Sequence, residues 1–349
     1  MAKLFIPSRN RPTAVAHVLE FLARFYPGTQ VVLGDGSADH FKPLYQKAIA
    51  AVSDRISVDY RPYDPDVSLG FRVLDILNSL DDDLVIMGAD DDFPIMDTLL
   101  EGETFLKANP GHVLAIGSFI DLRLYKDHSI QAAFGVARPI EAQQPQRRAL
   151  DFSMWPFPAN YSIARRAHLI DRYDRAQTQF LAGFHDYTAG IHDAMTGKIK
   201  AIGKPGFFRT HNYRHSYLRS SNRLSFLKHG DQLLGLCNTI AHDLEKMAGL
   251  QPQEAQVLAE RLIRRRIAQY VGGAPQAAPD FAKSTLFLDP IVQQQYAAFQ
   301  GLFTEGHPER ARLLPLLRHV MDMLLATVES TDNEGEKLVY ETLEAQAHG

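Results

Sequence analysis

Short apolar runs alternate with segments of helical spacing over the first hundred residues of the chain. The runs predict strands in four places: Lys3–Pro7, Gln30–Leu33, Ile56–Tyr60 and Leu84–Met87. Between them, apolar residues recur at helical intervals, which predicts helices in three places: Thr13–Phe25, Phe41–Val52 and Val67–Leu80. Strands separated by helices in this way predict a doubly wound α/β fold, with a mostly parallel sheet flanked by helices. Ligands of such sheets gather at the carboxyl ends of the strands.

The pattern changes along the rest of the chain. Residues 113–210 mix strands and helices, and the Pro- and Gln-rich stretch Arg138–Arg148 predicts a mobile loop because it has little to bury. From about Leu218 onward helical spacing dominates, most clearly in Ala255–Tyr270 and Ala311–Glu329. We therefore predict an α/β domain over residues 1–215 and a C-terminal helical extension over residues 216–349. The apolar faces of the extension are too extensive to leave in water, so we expect them to complete a cleft or to join two subunits.

Composition narrows the classes of function. The 349 residues carry 37 basic and 41 acidic side chains, so the basic field of a nucleic-acid-binding protein is absent and no nucleic-acid partner is expected. The single cysteine, Cys237, excludes an internal disulfide and a cysteine zinc cluster, which favours a reducing cytoplasm. We find no apolar segment suited to a signal peptide or a membrane span. We expect a cytoplasmic protein, and peripheral contact with the inner face of the membrane stays open.

An acidic triplet, Asp90, Asp91 and Asp92, follows the apolar strand Leu84–Met87 after a two-residue turn. Carboxylates at the carboxyl end of a central strand lie where a ligand binds, and three adjacent like charges repel one another. A divalent cation such as Mg²⁺ or Mn²⁺ relieves this repulsion and also neutralises a diphosphate. The alternative is a solvated loop that caps the next helix. We expect solvation for the other triplet, Asp81–Asp83, at the opposite end of the strand.

A second polar segment, Gly34–Ser37 (GDGS), follows the second strand. Its glycines allow close approach of the backbone, and the Asp35 carboxylate can accept hydrogen bonds from a ribose or a base. The segment lacks G-x-G-x-x-G spacing, so a dinucleotide fingerprint is not supported. Because DGS is also a common turn, the segment alone does not define a site.

Four segments in this order resemble the GT-A glycosyltransferases, particularly the large inverting family 2. They are FIPSRNRP (5–12), VVLGDGS (31–37), SLGFR (68–72) and MGADDD (87–92). The resemblance covers residues 3–106 clearly and 107–215 loosely. It implies sugar transfer from a nucleoside-diphosphate sugar to a hydroxyl of a glycan or lipid-linked glycan, in cell-surface polysaccharide or glycolipid assembly. Gly34 departs from the family, which has an acid there, so the preference for a base can differ.

The resemblance also implies roles for individual residues on the donor side. Nucleotide base and ribose would contact Pro7, Arg9 and Asp35, and Arg72 would approach the diphosphate or the sugar. Asp90 and Asp91 would bind the donor, and Asp92 would be the most direct ligand of Mg²⁺ or Mn²⁺. Each arginine has an alternative role as a surface residue on a turn.

The acceptor side has fewer signals. In the family an acidic pair supplies the general base; here His185 replaces the first acid and Asp186 is the candidate base, with a helix cap as the alternative. A histidine after the last strand would reach the metal or diphosphate, and His211 matches better than His215. Trp155, in a Pro-flanked aromatic loop, is a candidate platform for a sugar, or else a hydrophobic plug.

Several alternatives remain open from sequence alone. Arg261, Arg264, Arg265 and Arg266 share one helix, which could contact anionic lipid or form a helical bundle or a homodimer interface. A sugar-phosphate nucleotidyltransferase would share the fold, but the segment SRNRP lacks the Gly-rich loop usual after its first strand. A non-catalytic glycan-binding relative is the third alternative.

Overall fold

The computed structural model describes residues 1–125, 127–176, 184–212, 230–271 and 289–329. The strands are β1 Lys3–Ser8, β2 Gln30–Asp35, β3 Ser57–Pro62, β4 Leu84–Met87, β5 Phe93–Pro94, β6 His112–Leu124, β7 Ile130–Gly135, β8 Ile163–Arg165 and β9 Lys198–Asn212. The helices are α1 Pro12–Phe25, α2 Lys42–Ala50, α3 Leu69–Ser79, α4 Met96–Ala108, α5 Pro145–Met154, α6 Arg166–Ala176, α7 His185–Thr196, α8 Gly230–Ala248, α9 Pro252–Val271, α10 Pro290–Phe303 and α11 Pro308–Glu329. The strands and helices predicted in the first hundred residues are confirmed, with small shifts at their ends.

The described strands form one sheet in the order β3-β2-β1-β4-β8-β6-β9-β5, with β7 paired to β6. Strands β3, β2, β1 and β4 run parallel, and β6 runs parallel to β9. Strand β8 is antiparallel to both of its neighbours, β4 and β6. The parallel half therefore brings the carboxyl ends of β1, β2 and β4 to one edge of the sheet.

The first helices pack their apolar faces on this parallel half. Strand β4 is buried along its whole length, as a central strand covered on both faces should be. Helix α1 starts at Pro12, whose missing N–H suits the first helical turn. Helix α3 is capped by the Ser68 side chain, which accepts a hydrogen bond from the Phe71 amide. Both helices begin near the carboxyl edge of the sheet, so their first residues lie close to the loops after β1 and β3.

Residues 138–144 of the loop predicted over Arg138–Arg148 lie outside helices and strands, apart from one bridge at Ile140, but the segment ends in a helix and is held in place. Pro145 starts helix α5, and Arg148 is buried. The Arg148 guanidinium donates hydrogen bonds to the backbone oxygens of Ala194 and Met195, at 2.6 and 2.7 Å. These bonds satisfy carbonyl groups at the end of α7, which a helix otherwise leaves without partners. Their acceptors are distant in sequence, so local composition did not indicate them.

The elements described after residue 230 are helices, and they pack against the α/β layer. Gln295 of α10 donates a hydrogen bond to the Ile202 oxygen of β9 at 2.7 Å, and His319 of α11 lies on Phe25 of α1. Among the arginines of α9, Arg265 donates to Ser153 at 2.8 Å, and Arg266 covers the ring of Tyr187 at 5.3 Å. None of the described helices is long and apolar enough to span a membrane. The division at residue 215 stays a prediction.

A buried ionic cluster joins α6 and α7. The Asp193 carboxylate lies 2.7 Å from the His168 imidazole and 3.0 Å from the Arg172 guanidinium, and all three side chains are buried. Burial alone would raise the pKa of Asp193, but Arg172 and His168 outweigh it and lower the pKa to about 2. His192 continues the cluster to Asp243 of α8 at 3.2 Å. These contacts fix helix α7, whose first turn carries Asp186.

Candidate functional site

The loops after β1 and β4 meet at the acidic triplet. Arg11, in the loop that leads from β1 into α1, donates to Asp90 at 2.7 Å and to Asp91 at 2.6 Å. The Ser8 hydroxyl at the end of β1 also donates to Asp90, at 2.9 Å. Burial raises the pKa of Asp90 although Arg11 opposes this effect. The repulsion predicted for the triplet is therefore relieved at two of its members by a side chain of the same domain.

Asp92 has a different environment from the other two acids. Its carboxylate accepts a hydrogen bond of 2.6 Å from the backbone N–H of Thr210 in β9. The buried phenol of Tyr161 interacts with the same carboxylate and lowers its pKa. Burial, reinforced by the neighbouring Asp91 carboxylate, raises the pKa of Asp92 to about 8. The Arg209 guanidinium, which is paired with Asp121, opposes this rise only in part. A buried carboxylate without an ion pair of its own in the described part of the chain is a position that a cation stabilises.

The donor set of the triplet fits a hard divalent cation that also binds ligand oxygens. Within the described residues no group of three or more His, Cys, Asp or Glu side chains converges on one point. A dedicated all-protein cage is thus not formed in this part of the chain. Mg²⁺ and Mn²⁺ are often held by one or two carboxylates, with waters and phosphate oxygens completing the shell. Asp92, with Asp91 beside it, matches this partial donor set.

A hydrogen-bonded network lies beside the triplet, at the ends of β2 and β3. Asp35 is fully buried, accepting from the Ser37 amide at 2.8 Å and from the Tyr60 hydroxyl at 2.7 Å. The Tyr45 hydroxyl lies 2.7 Å from the Ser8 hydroxyl and accepts a bond from the Arg11 amide at 2.9 Å. Direct contact between Asp35 and a nucleotide stays a prediction, and it requires Tyr60 or the Ser37 loop to move.

Arg72 lies beneath this network rather than at the surface. It is buried, and its guanidinium donates to the backbone oxygens of Ser8 at 2.7 Å and Gly34 at 3.1 Å. A contact with the diphosphate or sugar stays a prediction, and as placed Arg72 instead supports the ends of β1 and β2. Pro7 pairs with Gly34 in the sheet, and Arg9 is exposed in the loop after β1.

Close packing around position 34 explains why a glycine suits it. A Cβ atom at Gly34 would lie 2.6 Å from the Ile76 side chain of α3 and 3.1 Å from the Phe5 ring. At these distances the end of the Ile76 side chain has to move aside for any side chain at position 34. Close packing of α3 on β2 therefore favours glycine there.

The candidate base is linked to the triplet through two adjacent residues. Asn160 donates a hydrogen bond of 2.8 Å from its amide to the Asp186 carboxylate. The next residue, Tyr161, reaches Asp92. Asp186 is exposed, and the N-cap of α7 is Phe184, so Asp186 is not the capping residue that the alternative proposed. The two carboxylates are thus linked through adjacent residues of the segment that leads into β8.

His211 contacts a carboxylate other than those of the triplet. Its imidazole lies 3.8 Å from Asp121 of β6, which also binds Arg209 through two hydrogen bonds of 2.7 and 2.8 Å. Burial opposes ionisation of Asp121, but His211 and Arg209 outweigh it and lower the pKa of Asp121 to about 2. A role for His211 as a metal ligand stays a prediction, and it requires the ring to leave Asp121.

The remaining candidates are less constrained by the structure. Trp155 is half-buried at the end of α5, between Phe152 and Phe157, whose rings pack edge to face at 5.1 Å. The aromatic loop therefore packs in part on its own domain, and a sugar contact at Trp155 stays a prediction. The His185 side chain and the whole of His215 lie outside the described residues.

Sequence reasoning did not assign roles to four residues that the structure places in this site: Arg11, Tyr45, Asn160 and Tyr161. For Arg11 a signal existed, since the SRNR run follows β1 and the triplet follows β4, which is the neighbour of β1. For the other three no local signal existed, because the partners of each are far away in sequence.

Known proteins resemble this chain in fold and not detectably in sequence. The sequence matches no known family model and no curated protein. The structure of S. aureus TarS 1–349 has a TM-score of 0.52 and 14% identity, with coverage of 95% of this chain and 92% of that one. The structure of the same TarS fragment in complex with UDP-GlcNAc has a TM-score of 0.53 and 13% identity, with coverage of 95% of this chain and 92% of that one. Mannosyltransferase PcManGT from Pyrobaculum calidifontis, in complex with GDP-Man and Mn²⁺, has a TM-score of 0.45 and 13% identity, with coverage of 95% of this chain and 88% of that one.

The predicted fold class is thereby confirmed. The chain has the α/β fold of the GT-A glycosyltransferases, a curled sheet flanked by helices, with further helices after the last described strand. Identities of 13 and 14% establish the fold alone, so the activity has to be argued from the site.

Proposed function

We propose that this protein is an inverting glycosyltransferase that moves a sugar from a nucleoside-diphosphate sugar to a hydroxyl acceptor. One observation carries the proposal. Adjacent residues, Asn160 and Tyr161, reach an exposed carboxylate at Asp186 and a buried carboxylate at Asp92. Such an arrangement would bring an acceptor-side base and a donor-side cation site near each other, which sugar transfer requires.

The donor half of the proposal uses the carboxyl ends of β1, β2 and β4. Asp92 and Asp91 would hold Mg²⁺ or Mn²⁺, which supplies positive charge opposite the departing diphosphate. Asp90, Arg9 and Pro7 would line the nucleotide. Asp35 and Arg72 would support the donor pocket indirectly. Asp35 would fix Tyr60 and the Ser37 amide. Arg72 would fix the carbonyl groups of Ser8 and Gly34.

The acceptor half uses Asp186 as general base. A hydroxyl becomes acidic as it attacks, so a positioned carboxylate that takes its proton late in the step accelerates transfer. The Asn160 amide orients this carboxylate, and the rigid cluster around Asp193 fixes the helix that carries it. Attack from the side opposite the leaving group inverts the anomeric centre. His185, His211 and Trp155 would complete the acceptor and diphosphate pockets.

The biological setting of the proposal is a cytoplasmic enzyme of cell-surface polysaccharide or glycolipid assembly. The acceptor would be a glycan or a lipid-linked glycan. Arg261 and Arg264 of α9 are exposed, and they would supply the peripheral membrane contact that a lipid-linked acceptor needs. A homodimer through the C-terminal helices belongs to the same proposal, because those helices carry extensive apolar faces.

A thermal-shift screen tests the proposal directly. The protein is heated with UDP-, GDP-, CMP- and dTDP-sugars, each with and without Mn²⁺. Binding to the native state raises Tm according to concentration over Kd, so one donor should raise Tm only when Mn²⁺ is present. Turnover of that donor should release free nucleoside diphosphate. Release of pyrophosphate would indicate a nucleotidyltransferase instead, and glycan binding without metal-dependent donor hydrolysis would indicate a non-catalytic relative.

A further inference from the structure

Arg11 covers the most exposed carboxylate of the acidic triplet. The side chain of Asp91 is 30% exposed, against 10% for Asp90, and Asp92 is buried. Arg11 binds Asp90 and Asp91 through two different guanidinium nitrogens, at 2.7 and 2.6 Å. A cation from solvent would therefore reach the Asp91 carboxylate first, and that carboxylate is paired with Arg11.

The charges of the triplet are unevenly compensated. Asp90 and Asp91 share the positive charge of Arg11 through direct ion pairs. Asp92 accepts from the Thr210 backbone N–H and forms no ion pair with the described residues, and the Arg209 guanidinium near it is paired with Asp121. Asp91 and Asp92 are neighbours in the chain, so their carboxylates repel one another. A divalent cation placed between Asp91 and Asp92 would relieve this repulsion, but it would also repel the guanidinium.

We propose that Arg11 is a resident counter-cation that a divalent cation displaces from Asp91. The inference rests on the proposed function, because it assigns the cation to Asp91 and Asp92. Loading of the metal then frees the Arg11 guanidinium at the edge of the sheet where an anionic donor would lie. Arg11 is a positioning residue in this scheme: it keeps the empty site folded, and the cation removes it before the diphosphate binds.

The surroundings of Arg11 allow such an exchange without movement of the backbone. Its amide donates to the Tyr45 hydroxyl at 2.9 Å, and its carbonyl oxygen accepts from the Val15 amide at 3.1 Å. The main chain is thus fixed at the start of α1, and only the side chain has to turn. The side chain is 27% exposed, so one side of it faces solvent. A guanidinium binds phosphate oxygens with the same two-pronged geometry that it uses for carboxylates.

The test measures binding of Mn²⁺ alone, by titration calorimetry and by electron paramagnetic resonance, in the absence of nucleotide. Arg11→Gln removes the competing charge, so we expect the variant to bind Mn²⁺ about ten-fold more tightly than wild type, which corresponds to about 1.4 kcal/mol. Arg24→Gln is the matched control, because it makes the same charge change at the exposed far end of α1. The control should bind Mn²⁺ like wild type. If Arg11→Gln does not fold, Arg11→Met serves, because it removes the same charge and keeps an unbranched side chain of similar length, and it should also bind Mn²⁺ more tightly than wild type.

The possible results separate this inference from the proposed function. Equal Mn²⁺ affinity in wild type and Arg11→Gln would overturn the exchange and leave the metal assignment intact. Weaker binding by Arg11→Gln would overturn it too, because Arg11 would then support the site rather than compete for it. If neither protein binds Mn²⁺, with or without nucleoside diphosphates, both the exchange and the metal assignment are wrong.

Discussion

Asn160 donates a hydrogen bond of 2.8 Å to the carboxylate of Asp186. The segment that carries Asn160 continues through Tyr161, which reaches Asp92, into strand β8. Because β8 pairs with β4, the strand before the triplet, this segment and Asp92 are anchored to the same sheet, whereas Asp186 lies on α7. One short segment thus interacts with both carboxylates, and the first predictions below depend on it.

Asp186→Asn separates proton abstraction from donor binding. The asparagine keeps the shape of the side chain but is a far poorer base, so transfer should slow by about 10²–10⁴-fold. The Tm increase caused by the donor should equal that of wild type, because the base does not touch the nucleotide. The measurements are initial transfer rates and thermal shifts on the same preparation.

Asn160→Ala accompanies that test. It leaves the Asp186 carboxylate in place without its amide donor, so transfer should fall less than in Asp186→Asn. Loss of donor binding in Asp186→Asn would instead place Asp186 on the donor side, and unaltered kinetics in that variant would exclude a role in catalysis.

Asp92→Asn tests the cation site. The variant should lose most of its Mn²⁺-dependent donor binding and transfer, because the buried carboxylate is the proposed ligand. Its Tm without metal should equal or exceed that of wild type, since the raised pKa of Asp92 means that burial disfavours its charge. Asp81→Asn, in the exposed triplet at the other end of β4, is the control and should change neither property. Full activity of Asp92→Asn, or of wild type in a chelator, would exclude the metal assignment.

Gly34→Ala tests the packing of α3 on β2. The added methyl group meets Ile76 and Phe5, and overpacking of this kind costs typically about 1–3 kcal/mol of unfolding free energy. Gly34→Asp should be less stable still because it also buries a charge. Gly111→Ala is the control, since nothing lies within 4 Å of its added Cβ atom. Urea denaturation measures all three, and equal stability of Gly34→Ala and Gly111→Ala would contradict the steric argument.

The cluster around Asp193 predicts a dependence of stability on pH. The pKa of Asp193 is about 2 in the folded protein, below the value of about 3.9 expected for an unfolded chain. Ionised Asp193 therefore adds about 2 kcal/mol to the unfolding free energy above about pH 4, and this contribution is lost as the pH falls toward 2.

Asp193→Asn should remove that part of the pH dependence. At neutral pH it should also lower the unfolding free energy by about 3–5 kcal/mol, because Arg172 is left buried without its partner. Asp171→Asn, at a carboxylate that is 46% exposed, is the control and should cost less than about 1 kcal/mol. Urea denaturation between pH 3 and 8 measures the unfolding free energy of each protein. Parallel plots of this free energy against pH for wild type and Asp193→Asn would contradict the low pKa of Asp193.

The sequence by itself determined the first half of the fold. Apolar runs and helical spacing are local properties, so β1 to β4 and α1 to α3 could be predicted from neighbouring residues. The parallel order then placed the triplet at the carboxyl edge of the sheet. The same reasoning did not predict the helical end of Arg138–Arg148, because the acceptors that hold Arg148 lie almost fifty residues away, at the end of α7.

Only the tertiary structure decided which polar groups of the site face one another. The sequence indicated Asp35 and Arg72 as ligand contacts, and the fold buries both under their own hydrogen bonds. The positions of the SRNR run and the triplet after neighbouring strands were an indirect signal that Arg11 could approach Asp90 and Asp91. No local signal indicated that Tyr161 interacts with Asp92, which lies 69 positions away in the chain. Local propensity places a residue on a strand, a helix or a loop. The electrostatic environment of a carboxylate depends on charged and polar groups of other strands, helices and loops. Only the tertiary packing of those elements places such groups beside it.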